Sequence, residues 1–183
     1  MLLRKKFQLY SVGLMISLLA CAPALAQLKA GAAAPSFTAP AALAGQTYNF
    51  VLAEALKKGP VVVYFYPKAF TSGCTIEAQL FAEATDKFAA LKATVIGVSG
   101  DDIETLKKFS QGPCGGKFAV AADLDRSIIK AYDAGMLIMP SLASRISYVV
   151  TPDSKILFVH SGMSPDQHVS STLAALQTWQ AKR

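Results

Sequence analysis

The sequence predicts an α/β fold with a central mixed β-sheet flanked by helices, on three observations. "VVVYFY" (61–66) and "TVIGVS" (94–99) are continuous runs of β-branched and aromatic residues, the pattern of strands buried on both faces. Helix-period segments lie between such runs, so the connections are strand–helix–strand crossovers that set strands parallel. Towards the C-terminus "RISYVVT" and "KILFVHS" flank Pro152-Asp153-Ser154 and read as a hairpin, which makes the sheet mixed.

Residues 1–26 stand apart from that pattern. Arg4, Lys5 and Lys6 precede an apolar run from Val12 to Ala20, and Ala24-Leu25-Ala26 supplies an A-x-A site. This is the layout of a secretory signal peptide cleaved after Ala26. The apolar run is too short to span a bilayer comfortably. Leu18-Leu19-Ala20-Cys21 also reads as a bacterial lipobox, which would lipidate Cys21 and anchor the chain to a membrane; the A-x-A site is the better match. The expected location is the periplasm, with a lipoprotein anchored at Cys21 as the second option. The remaining 157 residues, 27–183, make a single domain long enough for a substantial core. They carry fifteen basic and twelve acidic residues, a balance of +3 with no basic stripe, so charge gives no reason to expect a nucleic-acid partner.

Within the domain the elements follow in order. "LKAGAAAPSFTAPAALAGQTYNF" reads as an extended arm with turns that ends in short strands, and "NFVLAEALKKG" holds a short helix. After the 61–66 strand a helix is expected from Cys74 to Leu91, with Ile76, Leu80, Ala84, Phe88 and Leu91 along one face. The 94–99 strand follows. Asp101-x-x-Glu104 resembles a capping box and starts a helix through Phe109. "KFAVAAD" is the next strand, and "LDRSIIKAYDAG" a short helix with Gly135 placed to end it. After the hairpin, Ser164 can cap a last helix, Pro165 suits its first position and Gln167 completes the box.

Signal removal takes Cys21 and leaves two cysteines, Cys74 and Cys114, a pair that in an oxidising compartment suggests a disulfide, structural or catalytic. Cys74 sits just after a strand and at a helix start, with Thr71 or Ser72 as the cap. First-turn N–H groups and the helix dipole favour an anion there, and the thiolate is the reactive form of a cysteine. A buried, inert thiol is the plainer alternative. Gly73 beside it would let a small ligand approach the backbone closely.

Pro67-Lys68-Ala69-Phe70-Thr71-Ser72-Gly73-Cys74 fits P-x-x-x-T-x-x-C, and in this the chain resembles the peroxiredoxins of the AhpC/TSA family. "FYPKAFTSGCTIE" is most similar to the bacterioferritin-comigratory-protein/PrxQ branch, and "AGAAAPSF", "VIGVSGDDIETLKKF" and "SRISYVVTPDSKIL" resemble its other segments. The resemblance implies a thioredoxin-like fold and a thiol-dependent peroxidase that reduces hydrogen peroxide or organic hydroperoxides. Cys74 would be the peroxidatic cysteine, oxidised to a sulfenic acid. Thr71 would offer its hydroxyl to the thiolate and the bound peroxide, Pro67 would shield the pocket, and Arg145 would hold the thiolate and polarise the peroxide. O–O cleavage builds negative charge on the departing oxygen, which a fixed guanidinium and a helix N-terminus stabilise. Glu77 would partner an arginine or simply favour the first helical turn. The implied partners are a peroxide and a thioredoxin-like or small-thiol reductant, with no organic cofactor and no metal, in a monomer or homodimer.

The chain departs from that branch at Gln79, which occupies the position five residues after Cys74 where a second cysteine is usual. Cys114, in "QGPCGGK" and 40 residues after Cys74, becomes the candidate resolving cysteine. Its glycines predict a mobile turn that could close on Cys74, since a disulfide needs Cα atoms within about 7 Å. A permanent structural disulfide is the alternative. Ser72 and Ser154 replace the usual Pro and Gly. His160 and His168 lack metal-ligand spacing and read as exposed or hairpin-end residues, and Trp179 reads as helix packing. Two other functions compete. A thioredoxin-type disulfide oxidoreductase would need C-x-x-C, but Glu77 stands three residues after Cys74. A non-catalytic exported binding module on the same scaffold is the other.

Overall fold

The computed structural model describes residues 27–183. The expected signal segment and Cys21 lie outside the described residues. The elements run β1 (Thr38–Leu43), β2 (Gln46–Val51), α1 (Leu52–Leu56), β3 (Val61–Phe65), α2 (Ser72–Glu83), α3 (Thr85–Ala90), β4 (Thr94–Ser99), α4 (Ile103–Gln111), β5 (Ala119–Ala122), α5 (Ser127–Ala131), β6 (Ile146–Val150), β7 (Ile156–Ser161) and α6 (Pro165–Gln180). The strands form one seven-stranded sheet in the order β2-β1-β5-β4-β3-β6-β7. β3, β4 and β5 pair in parallel through helical crossovers, while β6–β7 and β1–β2 are antiparallel hairpins. The sheet is therefore mixed, as the sequence predicts.

Alternation along β3 divides two cores. Val61, Val63 and Phe65 face one layer with Leu52 and Leu56 of α1 and Ile128 and Ile129 of α5. Val62, Tyr64 and Tyr66 face the other, with Ala78 and Phe81 of α2, Leu106 and Phe109 of α4 and Leu176 of α6. A period of two on a strand buried on both faces leaves no polar position, which is why that run is apolar throughout. Cys74 and Cys114 both belong to the second layer.

Four local expectations are corrected. The helix expected from Cys74 to Leu91 starts at Ser72 and breaks at Ala84, where φ is −88° and ψ −1°. At the break the Thr85 hydroxyl donates to the Phe81 carbonyl at 3.1 Å, a back-bond of the kind that bends helices. The buried face of α2 carries Cys74, Glu77, Ala78 and Phe81, while Ile76 is half exposed; a stripe traced through apolar residues alone passes over the buried Glu77. The cap of α4 is Asp102, whose Oδ1 accepts from Thr105 N at 2.9 Å, and not Asp101. α5 ends at Ala131, where Asp133 turns left-handed at φ 49°, and Gly135 instead bridges to Ala143. Ser164 does stand at the start of α6 with Pro165 after it, but its side chain makes no capping bond.

Candidate active site

The site begins where β3 hands over to α2. The chain leaves the sheet after Phe65, turns through Pro67–Phe70 and enters α2 at Ser72. Asp101, freed from capping, ties this turn down: its Oδ2 accepts from Ala69 N at 2.7 Å and from the Ser99 hydroxyl at 2.9 Å. Phe70 adopts φ 64°, an uncommon conformation for a bulky residue, and sits edge-on against Phe109 with ring centroids 5.2 Å apart. Pro67 is half-buried at the start of the turn. Thr71 occupies the N-cap position, yet its hydroxyl donates to the Lys68 carbonyl at 3.0 Å, with no side-chain capping bond. The resemblance implies that this hydroxyl serves the thiolate and a bound peroxide; here it is turned to the Lys68 carbonyl. Cys74, the third residue of α2, is buried.

Arg145 arrives from the opposite side, immediately before β6, and is buried. Its Nη2 donates towards Cys74 Sγ at 3.5 Å. Its Nη1 donates to Glu77 Oε2, so the two helix residues spaced three apart grip one guanidinium. Gly73 makes the approach possible, because a Cβ there would lie 3.0 Å from Arg145 Nη2. The space at Gly73 is thus filled by the guanidinium and not left for a ligand. Gly73→Ala should displace the pinned guanidinium by a few tenths of an ångström and loosen its hold on Cys74; the alkylation rate of Cys74 on the variant checks this.

Behind Arg145 lies a polar layer that sequence reasoning missed. His168, expected at the surface, is fully buried on α6. Its Nε2–H donates to the Gly162 carbonyl at 3.0 Å, which leaves Nδ1 as acceptor for the Ser147 hydroxyl at 2.8 Å. The same Nδ1 lies 3.8 Å from Glu77 Oε1. The signal was present: His168, Thr172 and Leu176 follow a spacing of four along the buried stripe of α6. Burial holds His168 down to about 4 and pushes Glu77 up to about 8, the latter against the pull of Arg145. A histidine held neutral in the fold charges freely once unfolded. His168 therefore contributes stability that is fully present above about 6.5 and is lost as pH falls towards about 4. Denaturant titrations at stepped pH should show this acid-side slope, and His168→Gln should flatten it.

Cys114 follows α4 in the 112–116 turn and is fully buried. Burial pushes its thiol up to about 12. The turn is tied rather than loose. Cys114 N donates to Phe109 O at 3.2 Å, Gly116 N to Ser110 O at 2.8 Å and Lys117 N to Cys114 O at 3.0 Å. Gly115 and Gly116, at φ 56° and 66°, supply the left-handed geometry this tight turn needs. That corrects the expectation of a mobile segment. Cys74 and Cys114 are both free thiols. The structure thus brings Cys74, Arg145 and Glu77 into contact, sets Pro67 and Thr71 on the turn before them, and holds Cys114, not bonded to Cys74, in the same apolar layer.

Residues 30–159 match the AhpC/TSA family. A putative chloroplastic peroxiredoxin Q of Oryza sativa subsp. indica is 33% identical over 152 residues, which cover 81% of this chain and 66% of that relative; the chain thus spans just under two thirds of the rice protein's length. The crystal structure of peroxidoxin BcpB from Mycobacterium tuberculosis superposes with a TM-score of 0.75 at 28% identity, covering 82% of this chain and 97% of that one. A structure of Xanthomonas campestris peroxiredoxin Q gives 0.67 at 26% identity, over 76% of this chain and 89% of that one.

Proposed function

The chain belongs to the AhpC/TSA family, and on that premise we propose that it is an exported thiol-dependent peroxidase that reduces hydrogen peroxide or organic hydroperoxides through Cys74. The observation that carries the reading is the guanidinium of Arg145 lying 3.5 Å from Cys74 Sγ at the first turn of α2. The Cys74 thiolate attacks the near oxygen of the peroxide. The S–O bond forms as the O–O bond breaks, sulfur is oxidised to the sulfenic acid, and the departing alkoxide or hydroxide leaves with a proton as alcohol or water. Arg145 and the free N–H groups of the first turn of α2 stabilise the thiolate before attack and the growing oxyanion during it. Pro67 and the exposed side of Thr71 border the approach to the sulfur, and the Thr71 hydroxyl can turn from the Lys68 carbonyl to a bound peroxide.

Gln79 is exposed on α2, so the sulfenic acid awaits a thiol from elsewhere. In this reading Cys114 condenses with it, releasing water and forming a Cys74–Cys114 disulfide, and a thioredoxin-like or small-thiol reductant returns both to thiols. Arg4–Lys6, the 12–20 apolar run and the A-x-A site at 24–26 support export with cleavage after Ala26; N-terminal sequencing of the periplasmic protein tests that, and a lipid adduct on Cys21 would replace it with an anchored form.

The decisive experiment treats reduced protein with one equivalent of hydrogen peroxide in the presence of a sulfenate-trapping dione. Stoichiometric peroxide loss with the adduct on Cys74 is the expected result. Absence of peroxide consumption, or an adduct confined to Cys114, overturns the assignment.

A further inference from the structure

Glu77 is the least explained residue of this site. Its Oε2 takes Arg145, but its Oε1 is buried and has no hydrogen-bond partner among the described residues. A buried carboxylate oxygen without a donor costs free energy comparable to a lost charged hydrogen bond. His168 Nδ1 lies 3.8 Å from it. With Nε2–H committed to Gly162, that nitrogen presents a lone pair and not a proton. Two acceptors therefore face each other in a sealed layer, which is one proton short.

We propose that Glu77 Oε1 and His168 Nδ1 share a single proton, and that this proton decides how much of the Arg145 charge is left for Cys74. The proton satisfies the pair from either side. On Oε1 it points at the imidazole, and the Ser147 hydroxyl turns its own proton away from the single Nδ1 lone pair it otherwise occupies. On Nδ1 it points at the carboxylate, and Ser147 Oγ, which can donate or accept, turns to accept. A closure of about 1 Å brings the pair to hydrogen-bond distance. The two environments favour the carboxyl as its seat, since burial raises Glu77 to about 8 and lowers His168 to about 4. The pair titrates as one unit.

The charged and titratable groups around it come from every packed element. Cys74 lies on the same helix, Arg145 precedes β6, and His160 on β7 meets the His168 ring at 4.6 Å between centroids. Asp166 opens α6 and acts on His168, while Tyr64 of β3 feels both Glu77 and Cys74. Of these, only Arg145 carries a fixed positive charge. When Glu77 is neutral, Arg145 is a hydrogen-bond donor to it, and the guanidinium charge serves the thiolate. When Glu77 ionises, carboxylate and thiolate compete for one cation.

This link to reactivity rests on the peroxidase reading; the shared proton itself does not. Two measurements separate them. Infrared difference spectra of the whole protein near neutral pH should show the C=O band of one protonated carboxyl that Glu77→Gln removes. Its absence overturns the proposal whatever the activity. The peroxide rate constant of wild type should fall about ten-fold on the alkaline side as the pair loses its proton. Glu77→Gln, permanently neutral, should lose that alkaline limb. His168→Phe, which removes the acceptor, should move it to lower pH by about one unit, because the neutral carboxyl loses its hydrogen bond. An alkaline limb unchanged in Glu77→Gln overturns the coupling. A protein that shows the band but consumes no peroxide overturns the peroxidase reading and the coupling with it, and leaves the shared proton standing.

Discussion

Arg145→Lys is expected to lose about 10²–10³-fold in the rate of Cys74 oxidation by peroxide, the usual cost of removing one preorganised donor from a developing oxyanion. The positive charge survives this change; the geometry does not. Arg145 uses two arms at once, Nη1 on Glu77 and Nη2 towards Cys74 Sγ. The planar fork fixes both directions together. An ammonium is a single point on a flexible stem, and the buried Glu77 carboxyl lies closest to where it would settle. Lysine therefore answers the carboxyl and abandons the sulfur. Folding should persist, because the buried Glu77 carboxyl keeps a donor. Arg145→Ala is the contrasting case: it leaves the buried Glu77 carboxyl without its hydrogen-bond donor, at a cost of about 1–3 kcal/mol. Stopped-flow peroxide reduction, with Cys74→Ser as the inert reference, reads the first effect. Denaturant melts read the second. A lysine variant that reacts within a few-fold of wild type would reduce Arg145 to a structural charge at the head of β6.

How much of this was legible beforehand depends on the kind of signal. The strands at 61–66 and 94–99 announce themselves, because burial on both faces excludes polar residues. The break at Ala84 does not, since it arises from one hydroxyl back-bond at Thr85 in a stretch whose composition suits a helix throughout. Asp101 and Asp102 look interchangeable as caps; only the three-dimensional position of Ala69 N assigns Asp101 to the turn and leaves Asp102 for the helix. The encounter of Cys74 with Arg145 spans 71 residues, and nothing local encodes it. It was accessible through resemblance of the two flanking motifs alone. The Glu77–His168–Ser147 layer was invisible for another reason. Periodicity arguments follow apolar residues, and here polar side chains occupy the buried positions of both helices and the strand. At Cys114 the glycines misled, because φ values of 56° and 66° serve a hydrogen-bonded turn as readily as a loose one.

Cys114→Ala should leave the first oxidation of Cys74 intact and abolish the intramolecular disulfide, so that a second and third equivalent of peroxide drive Cys74 to sulfinic acid. The structure makes resolution a conformational step. Cys114 is fully enclosed, its thiol is pushed up to about 12, and its turn is held by backbone bonds to Phe109 and Ser110. In the closed fold it is a thiol and a poor nucleophile. Aromatic rings of Tyr64, Tyr66, Phe109 and Phe118 fill the same layer, with Tyr64 on Tyr66 at 5.5 Å and Tyr66 on Phe109 at 5.6 Å. We expect disulfide formation to involve opening of the tied 112–116 turn, unwinding of the first turn of α2, or both. The first turn of α2 is the weak point: Thr71 lends it no side-chain cap, and Phe70 holds a left-handed backbone beside it. Disulfide formation should then be slower than Cys74 oxidation. It should also respond to mutations that alter local opening. Thr71→Asp, which supplies a capping carboxylate to α2, should stabilise that turn and slow the disulfide step several-fold. Rapid-quench alkylation with peptide mass spectrometry after one equivalent of peroxide resolves the two phases. A Cys74–Cys114 peptide from a monomer is the expected product. A disulfide-linked dimer would place resolution between chains, and a lasting Cys74 sulfenate beside a free Cys114 would assign that step to an external thiol.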